Sequence, residues 1–139
     1  MADPRIEQLR RVPLFSFCDG SHLAFIATQV EELDFPAGKV LCKQGETGGD
    51  FFILLSGSAE VTRDGRHVRD IRAGDFFGEI ALLERVPRTA TVVTTSPSRC
   101  LVLGPQQFQN VLAQRTEIAL AVLHAMAERL RSLHQPPAD

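Results

Sequence analysis

The stretch FGEIALLERVPRTATV, residues 77–92, places a segment of helical composition inside a long run of short strands. Gly78 stands just before that segment, where a residue without a Cβ lets the backbone take unusual dihedral angles and lets a ligand approach closely. The first N–H groups of the helix, near Ile80 and Ala81, have no partner within it and form a small anion site. Arg88 follows at the head of the next strand, and its planar guanidinium can bind two phosphate oxygens at once. The pattern predicts an anion held between a helix end and an arginine.

Each of these residues also has a plainer explanation. Gly78 suits a tight turn, and Arg88 suits solvent or an ion pair with Glu84. Glu79 is the kind of acid that the helix dipole favours in a first turn. Their occurrence together within one interruption nevertheless favours a site. A carboxylate beside a phosphate is unfavourable unless it accepts hydrogen bonds from ligand hydroxyls, such as those of a ribose. Glu79 therefore indicates that the anion is a nucleotide.

The region around this stretch has the rhythm of an antiparallel β domain. Turn glycines at positions 38, 48, 57, 65 and 74 follow one another at intervals of 10, 9, 8 and 9 residues. Such intervals are typical of short strands in a sandwich or barrel and leave no room for helices. The predicted strands are residues 39–43, 51–55, 59–63, 66–71, 89–95 and 99–103.

Helical spacing appears on both sides of the strand region. Asp19 or Ser21 can cap an N-terminal helix that contains apolar residues at helical intervals, namely Leu23, Ile26, Ala27 and Val30. After Gly104 and Pro105, residues 106–113 and 116–133 contain almost no turn residues and keep a helical period. The sequence therefore predicts helices at both ends of the β domain.

The last predicted helix carries an apolar stripe, made of Ile118, Val122, Met126, Leu130 and Leu133. Two interpretations stay open at this point: the stripe packs on the chain's own barrel, or a partner subunit shares it in a homodimer. Residues 135–139, QPPAD, contain two prolines and cannot extend the helix. We expect them to form a linker or a frayed tail.

The composition is that of an ordinary folded domain. The 139 residues fit a single domain, and 15 basic against 17 acidic side chains give a net charge of −2. No global field therefore attracts nucleic acid or an anionic membrane. No apolar run approaches the roughly 20 residues that span a bilayer, and no secretory signal opens the chain. The cysteines are odd in number and far apart, at positions 18, 42 and 100, which favours a reducing cytoplasm over a disulfide framework.

The sequence also lacks the usual equipment of several enzyme classes. Its four histidines stand singly, without the HxH or HExxH spacing that surrounds one metal ion. No GxSxG elbow and no GxxxxGK[ST] loop occurs. We therefore expect neither an enzyme nor a protein with a metal or cofactor, and a metal-dependent jelly-roll enzyme is the disfavoured alternative.

Residues 77–83 and 87–92 together resemble the phosphate-binding cassette of cyclic nucleotide-binding domains. The resemblance extends to PAG at 36–38, QGE at 44–46, FILLSG at 52–57 and GDF at 74–76. This family comprises regulatory subunits of cyclic-nucleotide-dependent kinases, gated channels and bacterial regulators of the catabolite-activator type.

The resemblance implies a mainly β fold, an antiparallel β-roll of jelly-roll type with a short cassette helix and a long C-terminal helix. It implies one domain over residues 1–134, followed by the tail. Its parts are an N-terminal helical segment over 1–34, the β-roll over 35–104 with the cassette at 77–92, and C-terminal helices over 105–134.

The resemblance also implies a role for each cassette residue. Arg88 would pair with the cyclic phosphate, and Glu79 would accept a hydrogen bond from the ribose 2′-OH. The N–H groups of Ala81 and Ala90 would complete the phosphate cradle beside Ile80, with Gly78 against the sugar. The Thr89 hydroxyl would bond the phosphate or, with a syn base, the amino group of guanine. Four further residues would lie near the base, although Val61 and Val68 suit plain core and Arg129 suits solvent equally well: Val61, Val68, Arg129 and Leu133.

A regulatory sensor is the function that this resemblance implies. It would bind a 3′,5′-cyclic purine nucleotide, cAMP before cGMP, and move its C-terminal helix on binding. The other interpretation is an interaction module without ligand that dimerises through the stripe from Ile118 to Leu133. Direct DNA binding is not expected, because no helix-turn-helix follows the long helix.

Overall fold

The computed structural model describes residues 3–133. The predicted tail, 135–139, and His134 lie outside the described residues. Within residues 3–133, four α-helices, eight strands and two 3-10 helices follow one another. In order they are α1 (Pro4–Arg10), a 3-10 helix (Pro13–Phe15), α2 (Gly20–Ala27), β1 (Glu31–Phe35), β2 (Val40–Cys42), β3 (Phe51–Ser56), β4 (Ser58–Arg63), β5 (Arg66–Arg72), β6 (Phe76–Phe77), the cassette 3-10 helix (Glu79–Leu82), β7 (Thr91–Thr94), β8 (Ser98–Leu103), α3 (Pro105–Gln114) and α4 (Thr116–Leu133).

The strands form two four-stranded antiparallel sheets, in the orders β1-β8-β3-β6 and β2-β7-β4-β5. Side chains of both sheets meet in one core, as the alternation of buried Ala59 and Val61 with half-buried Glu60 and Thr62 on β4 illustrates. The core consists of Phe52, Leu54, Ala59, Val61, Ile71, Phe77, Val92, Cys100 and Val102. The predicted β-roll with flanking helices is confirmed, and it is not a closed barrel.

The chain divides into two compact units, a β unit over residues 29–109 and a helical unit formed by the described parts of 1–28 and 110–139. In the helical unit, Asp19 caps α2, as predicted. Its carboxylate accepts from the His22 N–H at 2.9 Å, and His22 Nδ1 accepts from the Asp19 N–H at 3.2 Å. The Arg115 guanidinium lies 4.3 Å from the centre of the Phe25 ring. The division into parts that the sequence predicted stays a prediction.

Both predicted C-terminal helices are present. The stripe of α4 is buried at its start, at Ile118 and Val122, and open at its end, where Leu130 and Leu133 are 55% and 74% exposed. Over the described part of the chain, no helix combines the length and the apolar character needed to cross a membrane.

Several elements differ from the sequence-based expectation. β7 spans only Thr91–Thr94 instead of residues 89–95, and the short strand β6 was not predicted. Residues 31–34 were expected in the helical segment but form β1, which pairs antiparallel with β8. Cross-strand ion pairs hold it, since Arg99 contacts Asp34 at 2.8 Å and Glu32 at 3.0 Å. The cassette helix was expected over residues 78–84, but only Glu79–Leu82 form it, as one 3-10 turn that Gly78 precedes in the left-handed region.

Candidate functional site

A cavity of about 390 Å³ opens in the β unit between the β4–β5 hairpin and the cassette. The structure brings nine predicted residues to its wall, in two groups. The cassette contributes Gly78, Glu79, Ile80, Ala81, Arg88, Thr89 and Ala90, and the hairpin contributes Val61 and Val68. Their roles as ligand contacts stay predictions. The other two predicted base contacts, Arg129 and Leu133, lie exposed on α4 in the helical unit.

Gly78 is required by the local geometry. Its φ is +85°, in the left-handed region that favours glycine. A Cβ at this position would lie 2.7 Å from the backbone oxygen of Asp50 and against Nη1 of Arg88. A Cβ at Gly49 would lie 2.6 Å from Nη2 of the same arginine. Two glycines therefore make the space that the Arg88 side chain occupies.

Arg88 is fixed at both its backbone and its side chain. Its N–H donates to the Glu46 oxygen at 2.8 Å, and its own carbonyl accepts from the Gly45 N–H at 2.9 Å. Its Nη2 donates to the Asp50 backbone oxygen at 2.6 Å. Within residues 3–133 the ion pairs involve other side chains, so Arg88 does not pair with Glu84. A positioned guanidinium that forms no ion pair within the described residues suits an anionic ligand.

Glu79 is buried, with only 9% of the residue exposed, although it lies on the cavity wall. Ionised carboxylates are rarely so buried, and they act only as hydrogen-bond acceptors. Its position beside Gly78 places this side chain on the cassette side of the cavity.

The predicted phosphate cradle is partly engaged by the protein itself. The Ala81 N–H donates to the Gly78 oxygen at 3.1 Å, which closes the 3-10 turn. A ligand at this N–H would share the donor in a three-centre bond, an arrangement common at helix ends. The Ala90 carbonyl accepts a weak bond from the Cys42 thiol at 3.7 Å.

The cavity wall is more cationic than the sequence indicated. It carries the guanidinium groups of Arg63, Arg69 and Arg88 but only one carboxylate, that of Glu79. Such a balance raises the local concentration of anions. Sequence reasoning missed Arg69 because strict strand alternation places it on the face opposite Val68. The pairing of β4 with β5 shifts register between Val61 and Thr62, and this irregularity brings both neighbours to the cavity.

The three cysteines differ in their surroundings. Burial raises the pKa of the Cys18 and Cys100 thiols to about 11, and both side chains are buried. Cys42 lies on the cavity wall, where burial raises its pKa and the charge of Arg88 opposes that rise. All three are free thiols. In the part of the chain that the structure describes, no group of three His, Cys, Asp or Glu side chains is placed to hold a metal ion.

The chain is similar to known proteins. The family model described as cyclic nucleotide-binding domain matches residues 32–115. The chain is 38% identical over 106 residues to a cAMP-dependent protein kinase regulatory subunit of Pyricularia oryzae, a match that covers 75% of this chain and 27% of that protein. It is 30% identical over 138 residues to a CRP-like cAMP-activated global transcriptional regulator of Mycobacterium tuberculosis, covering 96% of this chain and 62% of that protein. The chain therefore spans less than two thirds of either relative.

Two solved structures have a similar fold. The N-terminal domain of a transcriptional regulator from Streptomyces coelicolor superposes with a TM-score of 0.85 at 31% identity, over 95% of this chain and 98% of that one. A cyclic nucleotide-binding-like protein from Brucella abortus gives 0.75 at 23% identity, over 80% and 99%, and supports the fold alone.

Proposed function

Because this chain belongs to the cyclic nucleotide-binding domain family, we propose that it binds a 3′,5′-cyclic purine nucleotide and works as a regulatory sensor rather than an enzyme. One observation carries the proposal: Gly78, buried Glu79 and the fixed guanidinium of Arg88 line one cavity. A cyclic nucleotide needs a cation for its phosphate and an acceptor for its ribose hydroxyl, and this wall offers both.

The ligand is oriented by the chemistry of the wall. The cyclic phosphate lies at Arg88, with the N–H groups of Ala81 and Ala90 completing its cradle, and the ribose 2′-OH donates to Glu79. The base lies toward the hairpin, where Val61 is buried and Val68 is 44% exposed. The expectation from the sequence that Arg129 and Leu133 lie near the base stays a prediction.

The proposed preference is cAMP first, with cGMP accepted. The names of two similar relatives refer to cAMP, which supports the adenine form. Arg69 favours guanine, because a guanidinium only donates and the Hoogsteen edge of guanine offers two acceptors, O6 and N7. Adenine presents one acceptor and one donor on that edge. Thr89 adds a hydroxyl that reaches either the phosphate or a syn guanine amine.

We place the output of the sensor in α4. Binding of the phosphate pulls the cassette turn toward the ligand. In this turn Ile80 and Leu83 are each 40% exposed, while Leu82 is buried. Exposed apolar side chains are the ones free to exchange partners when the turn moves, so Ile80 and Leu83 are the proposed couplers to the long helix. Hydrogen exchange with and without nucleotide should change at residues 78–83 and 116–133 together. Protection confined to the cassette would leave a pocket without a switch.

A ligand-free dimerisation module is the second candidate. The exposed Leu120, Leu123, Leu130 and Leu133 on α4 favour it, because exposed leucines on one helix suit a partner helix. Sedimentation of the protein without nucleotide tests this candidate. The proposed sensor acts in the cytoplasm through the cyclic nucleotide, and its proposed role does not involve direct contact with DNA.

Calorimetric titration with cAMP and with cGMP separates the two candidates. The sensor predicts saturable binding of at least one nucleotide with one site per chain. A dimeric protein that gives flat traces with both would contradict the sensor and favour the dimerisation module.

A further inference from the structure

Residues 88–90 belong to the part of the cassette that lines the cavity, yet they are not part of a strand. β7 begins only at Thr91, and the backbone of Arg88 bonds to the loop after β2 instead of to a regular ladder. A segment outside the sheet has fewer ladder bonds to hold it and opens more readily. Its position therefore depends on contacts from outside the cassette.

Three such contacts come from β2, the loop that follows it and the β4–β5 hairpin. The Gln44 N–H donates to the Thr91 hydroxyl at 2.9 Å. Arg63, at the end of β4, donates through Nε to the Thr89 carbonyl oxygen at 3.1 Å. The Cys42 thiol reaches the Ala90 oxygen at 3.7 Å. Each residue from 89 to 91 therefore accepts one of these hydrogen bonds.

The loop and the hairpin are in turn joined to each other. Nε2 of Gln44 donates to Oδ1 of Asp64 at 2.9 Å, and the Asp64 N–H donates to Oε1 of Gln44 at 2.9 Å. Asp64 lies in the hairpin turn with φ +55°, the one non-glycine residue with positive φ in the described chain. These two hydrogen bonds join residues that are 20 positions apart in sequence. They fix the end of the hairpin on which Arg63 lies.

We propose that Gln44, Asp64 and Arg63 form a brace that positions the Arg88–Thr91 segment for ligand binding. The inference rests on the proposed function for its ligand, but the brace itself exists without one. Gln44 and Asp64 do not belong to the cavity wall. They therefore act on the ligand only through the segment they position, and Arg63 acts both there and at the rim of the cavity.

The amide–carboxylate pair permits a test by exchange of its members. Gln44→Glu places a second carboxylate opposite that of Asp64 and removes the hydrogen bond that Nε2 of Gln44 donates. Adding Asp64→Asn restores the hydrogen bond in the reverse direction, because the amide of the new asparagine donates to the carboxylate of the new glutamate. Asparagine also tolerates the positive φ of this position. Arg63→Ala removes the second part of the brace, Arg63→Lys keeps one donor, and Arg66→Ala is the matched control on an exposed arginine of the same hairpin.

Hydrogen exchange of the nucleotide-free protein is the first measurement. Losing a bond of this kind should speed exchange at residues 88–91 by about 2- to 10-fold in Gln44→Glu and Arg63→Ala. The Gln44→Glu/Asp64→Asn variant and Arg63→Lys should recover most of the protection, and Arg66→Ala should not differ from the parent. Unchanged exchange in both disruptive variants, or no recovery in the double variant, would overturn the brace.

Titration with cAMP is the second measurement, and it distinguishes a failure of the brace from a failure of the proposed nucleotide binding. Where the parent protein binds, Gln44→Glu should weaken affinity by about 2- to 10-fold and the double variant should regain it. An unweakened Gln44→Glu variant would overturn the positioning role. A parent protein that shows the exchange pattern but binds no cyclic nucleotide would contradict the proposed function and leave the brace supported by the exchange data.

Discussion

Nη2 of Arg88 donates a hydrogen bond to the backbone oxygen of Asp50 across 2.6 Å. The bond ties the end of the cassette to the residue before β3, and the glycines at 49 and 78 leave room for it. Within residues 3–133, no other side-chain hydrogen bond of Arg88 is present, so the remaining donors of its guanidinium are available to a ligand. The arrangement holds the charge in place before a ligand arrives.

Replacement of Gly78 by alanine should abolish nucleotide binding and lower stability. The new Cβ would meet the Asp50 oxygen and the Arg88 guanidinium at a φ of +85°. Gly38→Ala is the control, because Gly38 has φ +82° but nothing within 4 Å of its added Cβ. Left-handed strain alone costs about 1–2 kcal/mol, so both variants should unfold at lower temperature in a thermal melt. Only Gly78→Ala should lose binding, and equal binding by the two variants would show that the space around Arg88 is unimportant.

Glu79→Ala should weaken binding through the ribose hydroxyl. A hydrogen bond to a charged group is worth about 1.5–3 kcal/mol, which corresponds to about 10- to 150-fold in affinity. The loss should shrink when the ligand is a 2′-deoxy cyclic nucleotide, because that ligand lacks the donor. Calorimetry of both proteins with both ligands completes the cycle. The same loss of affinity with either ligand would show that Glu79 does not contact the 2′-OH and serves only the structure of the cassette turn.

Arg69 and Thr89 should influence base selection more than overall affinity. Arg69→Ala and Thr89→Ala should each reduce cGMP affinity more than cAMP affinity, by a difference of up to about 10-fold. Arg72→Ala, an exposed arginine on the same strand that does not belong to the cavity wall, is the control. An equal drop for both nucleotides in Thr89→Ala would assign its hydroxyl to the phosphate. Unchanged selectivity in both variants would remove the guanine-reading role.

Alkylation at pH 8 should reach Cys42 first. A thiol with a pKa of about 11, as at Cys18 and Cys100, is about one part in a thousand thiolate at that pH, and both side chains are buried. Since the pKa of Cys42 is also raised, its labelling rate should keep increasing at pH values where an ordinary thiol is already mostly thiolate and its rate has levelled off. Saturating cAMP should slow this labelling, as followed by mass spectrometry. Equal labelling with and without nucleotide would place the ligand away from Cys42.

The parts of the fold that local pattern dictates were predictable from the sequence. α4 keeps helical spacing from Thr116 to Leu133 with no turn residue to interrupt it, and β4 alternates as its residue types require. β1 was missed because three acids among its five residues conceal a strand that pairs with β8, where Arg99 contacts two of those acids. That contact lies 65 residues away in sequence, beyond the range of any local pattern.

The site was predictable where its residues are consecutive and not where strands bring them together. Gly78, Glu79 and Arg88 share one motif, so spacing alone grouped them. Arg63 and Arg69 reach the same cavity through strand pairing, and Arg69 also depends on a register shift that alternation does not foresee. The left-handed φ of Gly78 was expected from its residue type. The bond from Arg88 to a backbone carbonyl required the three-dimensional structure.

Calorimetric titration of Arg88→Ala against Arg85→Ala tests the central claim most directly. Arg85 is exposed, lies three residues earlier and does not belong to the cavity wall, so its variant removes the same charge from outside the site. Truncation of a site charge costs about 2–5 kcal/mol, and Arg88→Ala should therefore weaken cyclic nucleotide affinity by about 30-fold to several thousand-fold. Arg85→Ala should bind like the parent. Parent-like affinity in a folded Arg88→Ala protein would contradict the account.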